Sequence, residues 1–266
     1  MSKFECGSVA RLAAAAGLGL TLALGAAPVV AMADEIDERV VAPVVEVDGD
    51  ASSSAQLLAD DETSLEGDGQ ESTPYLVDTR DELQQAFSAG GYVRLSGNIT
   101  LSGQMLSVPS GVSSVLDLAG YSIVSEGTDG QVLTNNGNLT IRDSGESKGS
   151  IQGGKLTLVN WNEMNLEGIK VVNNSNIGVY SLRTLTVTDC ELSGNTPLYI
   201  TGKNGETTYD WNVVGNISNT TISSGDATDY WGIVVFGKGM SSDGTYDNST
   251  VNVTVNGCTI RSNVSG

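Results

Sequence analysis

Leu185-Thr186-Val187-Thr188-Asp189-Cys190-Glu191-Leu192-Ser193-Gly194-Asn195-Thr196-Pro197-Leu198-Tyr199-Ile200 is the stretch whose reading decides the fold. Leu185 and Val187 alternate with threonines, Cys190 and Leu192 with polar residues, and Leu198 and Ile200 flank Tyr199. Period-two alternation puts one apolar row on one face of each short strand. The breaks, Asp189 and Ser193-Gly194-Asn195, are small and polar and too short for a crossover helix. Strands of this kind, joined by tight bends, must turn their apolar rows toward a common interior.

The unit recurs along the chain. Met164, Leu166, Ile169, Val171, Ile177 and Val179 repeat the pattern upstream. Downstream it returns as Val213, Thr220, Ile222, Ile233 and Val235, and again as Val251, Val253, Val255, Cys258 and Ile260. Alignment equates Ile169, Cys190, Thr220 and Cys258, at spacings of 21, 30 and 38 residues. Five residues beyond each come Asn174, Asn195, Gly225 and Asn263. A repeat near twenty that absorbs insertions predicts a solenoid of roughly six or seven coils.

These residues resemble the right-handed parallel β-helix repeats of the pectin-lyase-like superfamily. The resemblance covers 92–266 and implies an all-β fold with three strands per coil. It also implies an asparagine ladder at one bend, matched by Asn174, Asn195 and Asn263; Gly225 departs from it. The fold carries lyases, hydrolases and adhesins alike, so function rests on the residues.

The chain outside the repeats divides into three parts. Residues 1–33 read as a secretory signal, with Lys3 and Arg11, an apolar run Leu12–Leu24, and Ala31-Met32-Ala33 before a mature start at Asp34. Residues 34–73 have no sustained period. Thirteen acids and one base between 34 and 71 predict an unstructured acidic linker. In 74–91, Thr79 and Glu82 fit a capping box, Leu83, Ala86 and Phe87 share a helical face, and Gly90-Gly91 end the helix. That helix is expected to cover the first coil, starting at Tyr92. The last coil lacks its third strand, so the array is expected to continue past Gly266 or to be covered by a partner or second copy.

The net charge of −19 argues against nucleic acid and acidic membrane surfaces. With no histidine anywhere, His-based general-base and triad chemistry is excluded. The resemblance implies a Gly-His-Gly motif for a polygalacturonase, which is missing. A pectate-type lyase would draw on Arg142, Asp143, Glu167, Lys170 and Asp189, with acid-bound calcium. The insertions carry Tyr209, Asp210, Trp211, Asp229, Tyr230, Trp231 and Tyr246, rings beside acids, which suits a sugar. Asp243 and Asp247 are a candidate calcium clip, and no other cofactor is expected. Cys190 and Cys258 share a repeat position two or three coils apart, beyond disulfide reach, and are expected to be buried free thiols. The expectation is therefore a secreted or cell-surface, adhesin-like, non-catalytic protein. It would bind an extracellular polysaccharide or a glycan of a host or neighbour surface, with a polysaccharide lyase or a structural spacer as alternatives, and no transmembrane helix after signal cleavage.

Overall fold

The alternation read at Leu185–Ile200 runs through nearly the whole described chain. The computed structural model describes residues 64–204, 207–208, 212–225, 231–237 and 250–262. The elements begin with β1 (Tyr75–Val77), α1 (Arg80–Ala89), β2 (Gly91–Leu95), β3 (Ile99–Leu101), β4 (Leu106–Val108), β5 (Ser113–Asp117) and β6 (Ser122–Ser125). Next come β7 (Gln131–Asn135), β8 (Asn138–Arg142), β9 (Ser150–Gln152), β10 (Leu156–Asn160), β11 (Glu163–Glu167) and β12 (Lys170–Ser181). Then follow β13 (Thr184–Thr188), β14 (Glu191–Thr201), β15 (Lys203–Asn204), β16 (Thr207–Thr208) and β17 (Asn212–Ser218). The last are β18 (Thr221–Ser224), β19 (Ile233–Phe236), β20 (Thr250–Asn256) and β21 (Thr259–Arg261).

Two parallel sheets hold almost all of them. The first is β1-β2-β5-β8-β11-β13-β17-β20. The second contains β4-β7-β10-β12-β14-β18-β21, with β3, β6 and β9 leading into β12 and with β19 on β14. Each pass of the chain lays one strand in the first sheet and then one or two segments in the second. In β12 and β14 both segments run as one strand, with a register shift between Asn173 and Ile177. The pairs Lys170–Glu191, Glu191–Thr221 and Thr221–Thr259 reproduce the 21-, 30- and 38-residue spacings.

The inward rows stack by chemistry. Val93, Leu116, Ile141, Leu166, Val187 and Ile217 lie on successive strands of the first sheet, all buried. Ile99, Ile123, Ile151, Val171, Leu192 and Ile222 do the same in the second. Both rows belong to one apolar cluster. Each fully buried aliphatic side chain contributes about 1.5–3 kcal/mol.

The bend from the first sheet to the second is built from residues that tolerate left-handed backbone. Gly168 (φ 69°), Asp189 (φ 55°), Asn219 (φ 50°) and Gly257 (φ 63°) fall just before the aligned Ile169, Cys190, Thr220 and Cys258. Gly, Asn and Asp are the residues that visit this region at low cost.

Helix α1 has its capping box: Thr79 Oγ1 accepts from Glu82 N (3.3 Å), and Glu82 Oε2 accepts from Thr79 N (3.2 Å). Leu83, Ala86 and Phe87 are buried in the apolar cluster. Tyr92–Leu95 is not the first strand of its sheet, however. β1 precedes the helix and pairs in parallel with β2, an element too short and too half-buried to show a period.

The asparagine ladder requires a correction. Asn174 is exposed, and Asn195, half-buried, donates from Nδ2 to the Ser175 carbonyl at 3.0 Å. The buried residue at that bend is Asn173. Its Nδ2 reaches the carbonyls of Gly153 (3.2 Å), Gly154 (3.1 Å) and Lys155 (3.3 Å) and Thr157 Oγ1 (2.9 Å), while its Oδ1 accepts from Ser175 N and Asn176 N. A side-chain ladder stands at the other bend, after β7 and β10. Asn135 Nδ2 donates to Asn160 Oδ1 (2.9 Å), and Asn160 Nδ2 donates to Ser181 Oγ (3.0 Å), all three residues fully buried. Asn263 lies outside the described residues.

Cys190 and Cys258 are both free, with one strand between their columns. Two strand spacings are about 9.5 Å, beyond disulfide reach. Burial pushes the Cys190 thiol up from its ordinary value. Cys258 is only half-buried, because it lies on the last described pass.

Candidate functional site

The outward half of the alternation on the first sheet makes a polar surface. Tyr92, Val115, Thr140, Asn165, Thr186, Asn216 and Thr254 form one row across seven strands. Arg94, Asp117, Arg142, Glu167, Thr188, Ser218 and Asn256 form the next. Strand spacing of about 4.8 Å and a residue repeat of about 6.8 Å set this grid. Side chains bridge it: Asn165 Nδ2 donates to Thr140 Oγ1 (3.4 Å), Asn162 Nδ2 to Asn138 Oδ1 (2.9 Å), and Asn138 Nδ2 to Ser113 Oγ (3.3 Å).

An open groove of about 440 Å³ runs along this face at its β2 end, lined by Tyr92, Ser113, Val115, Asn138, Thr140, Glu163 and Asn165. Beside it lies a small hollow between Glu71, Pro74, Tyr92, Arg94, Asp117 and Arg142. Tyr92 is common to both. Its ring lies under the Arg142 guanidinium, 5.7 Å from ring centroid to Cζ, a cation–π contact worth about 0.5–1 kcal/mol at such exposure. Glu71 Oε1 accepts from both terminal nitrogens of Arg142 at 3.3 Å. Gly69 O accepts from Tyr92 N at 2.9 Å, which seats the preceding loop against the start of β2.

The five lyase candidates do not converge. Arg142 and Glu167 are neighbours in register on β8 and β11. Asp143 is occupied by backbone: Oδ1 accepts from Gly120 N (2.7 Å) and Gly145 N (3.2 Å), and Oδ2 from Gly149 N (2.6 Å). It holds a bend, as does Asp117, whose Oδ1 accepts from Ala119 N and Ser144 N, both at 2.9 Å. Lys170 opens β12 in the other sheet and pairs with Glu191 at 3.6 Å, beside Lys148 at 3.5 Å from the same carboxylate. Asp189 is the left-handed bend residue, and its carbonyl accepts from Lys148 Nζ at 2.6 Å.

Of the residues proposed to contact a ligand, Trp231 alone is described, and its side chain is exposed. Tyr209, Asp210, Trp211, Asp229, Tyr230 and Tyr246, with the calcium candidates Asp243 and Asp247, lie outside the described residues. Among the described residues no group of three or more Cys, Asp or Glu side chains is placed to hold a metal ion, and no helix is long and apolar enough to cross a membrane.

The Tyr92 groove is not among the sites expected from the sequence, because the repeat pattern is carried by the inward residues of each strand. Its signal is the complementary set, visible as Asn138-x-Thr140 and Asn165 at alternate positions in successive repeats. No protein-family model, no curated protein and no solved structure matches the chain.

Proposed function

We propose that the two sheets belong to a right-handed parallel β-helix, and that the chain is a secreted or cell-surface, non-catalytic protein that binds an extracellular glycan on the outward face of its first sheet. The winding is supported by the alternation of strands between the sheets, the repeated left-handed bend and the single apolar cluster. Right-handedness follows from the strong preference of parallel crossovers. The secreted location rests on the apolar run and Ala31-Met32-Ala33.

The observation that carries the binding reading is the groove at Tyr92. The part of the Tyr92 ring that lines the groove, beside the face covered by Arg142, offers an apolar contact for sugar C–H groups, and the neighbouring amide, hydroxyl and carboxylate groups offer partners for hydroxyls. The acids best placed for chemistry at the bends, Asp117 and Asp143, already accept backbone N–H bonds, which favours a structural role for them.

Arg142 beside Glu167 favours a polysaccharide lyase as the second reading. Purified protein screened on a glycan array, with absorbance followed at the unsaturated-uronate band, separates the two. The first reading predicts glycan retention that falls about tenfold or more in Tyr92→Ala and Asn165→Ala, without new absorbance. New absorbance lost in Arg142→Ala supports the lyase. Retention of no glycan, with no absorbance, leaves a spacer.

A further inference from the structure

The loop ahead of β1 carries one carboxylate to the edge of the groove. Asp68 Oδ1 accepts from Gln70 N (3.1 Å) and from the Thr73 hydroxyl, while Asp68 N donates to Thr73 O (3.0 Å) and Thr73 N to Gln70 O (3.1 Å). These bonds close a tight turn with Glu71 inside it. Two more seat the loop on the strands: Tyr92 N donates to Gly69 O and Leu76 N to Glu66 O, both at 2.9 Å. Gly69 has φ 72°, and a Cβ there would stand 2.6 Å from Tyr75 Cε2, so the close seat requires glycine. The result is that Glu71 meets Arg142, 71 residues further along the chain.

We propose that Glu71 is an autoinhibitory latch, which pins the Arg142 guanidinium over the Tyr92 ring so that a ligand reaching for that ring face must first displace it. The inference rests on the groove being a glycan site. Tyr92 and Val115 line both the open groove and the hollow beside it, whereas Arg142 and Glu71 stand on the hollow side alone. Lifting Arg142 from the ring therefore frees its covered face and lets a ligand in the groove extend across Tyr92.

The contact is built to yield. The Glu71 side chain is 62% exposed and that of Arg142 37%. A pair this exposed shifts an equilibrium by no more than about fivefold, and salt weakens it further. Arg142 also has a second partner within reach, because the exposed Glu167 is its neighbour in register on β11. Arg142 thus has two comparable positions, one covering the ring and one clear of it. A ligand that takes only the uncovered ring loses affinity by the fraction of molecules in the covering state, and a variant that empties that state restores it.

The test compares the full chain with Glu71→Gln, which keeps the shape and removes the charge. NMR first follows the Arg142 side-chain protons, which the Tyr92 ring current shifts and which Tyr92→Ala identifies. That shift should shrink in Glu71→Gln, and in the wild type at about 1 M salt, where charges are screened within about 3 Å. This readout needs no glycan. The glycan array then reads binding, and each glycan held by the wild type should bind Glu71→Gln about twofold to fivefold tighter. An Arg142 shift unchanged by both the substitution and salt overturns the latch, whatever the array shows. A freed Arg142 with unchanged glycan affinity also overturns it and leaves the binding reading intact. Retention of no glycan by either protein sinks the binding reading and the latch with it, whereas retention by Glu71→Gln alone supports both.

Discussion

Replacing Asn160 with alanine isolates the ladder that the structure puts after β7 and β10. Asn160 is fully buried. Its Oδ1 accepts from Asn135 Nδ2 at 2.9 Å and Asn162 N at 3.2 Å, and its Nδ2 donates to Ser181 Oγ at 3.0 Å, Thr184 O at 2.8 Å and, more weakly, Asn162 O at 3.4 Å. Alanine removes all five bonds. Asn135 keeps a bond to Glu163 O at 2.8 Å, and the Ser181 hydroxyl can rotate, so their losses are small. The Asn162 N–H and the second lone pair of Thr184 O, both on half-buried residues, are left without this partner. A buried polar group deprived of its partner costs about 1–3 kcal/mol, so the substitution should cost about 2–5 kcal/mol. Asn195 is the control. It is half-buried and makes one cross-strand bond, to Ser175 O, so Asn195→Ala should cost about 1 kcal/mol or less. Urea unfolding followed by far-UV circular dichroism reads both. With a slope of about 2–3 kcal/mol/M, Asn160→Ala should lower the midpoint by about 0.7 M or more and Asn195→Ala by less than about 0.5 M. Equal shifts, or a larger one for Asn195, would refute the placement of the ladder.

Two further outcomes follow from single residues. Cys190 is buried with its thiol pushed up by desolvation, whereas Cys258 is half-buried. A thiol reagent at mildly alkaline pH should therefore label Cys258 in the folded protein and Cys190 only on unfolding; early labelling of Cys190 would contradict its burial. Glu82 has its carboxyl held below the ordinary value of 4.5, first by the Asp78 backbone N–H and also by Thr79. A depressed carboxyl contributes stability above its unfolded value and loses it as pH falls through the folded one. The stability gap between wild type and Glu82→Gln should thus be constant near neutrality and shrink below about pH 4.5, and a gap that widened in acid would show that Glu82 does not act as an ionised cap.

The inward rows were legible because Leu, Ile and Val at period two leave a strong signal, and the spacings from Ile169 to Cys258 survived as strand register. The α1 cap was legible because Thr79 and Glu82 act within four residues. Register at the bends was harder to read. Asn173 and Asn174 are adjacent, and composition does not say which one turns inward; a one-residue slip exchanges the buried and exposed sets. Asn135 and Asn160 gave no local hint, because their partnership depends on strands 25 residues apart coming into register. The groove stayed hidden for a related reason. Outward residues are under no packing constraint, so Tyr92, Thr140 and Asn165 look like ordinary surface until parallel pairing lines them up. Asp143 and Asp189 drew attention as acids, but their work is at the backbone, one accepting N–H bonds and the other supplying a left-handed bend.

The binding claim is tested most directly by titrating a glycan retained on the array into the isotopically labelled chain and following backbone amide shifts by NMR. Saturable shifts are expected to cluster at Tyr92, Thr140 and Asn165 and to be absent when Tyr92→Ala protein is titrated under the same conditions. Saturable shifts confined to residues away from the first sheet, or shifts that persist unchanged in the variant, would contradict it.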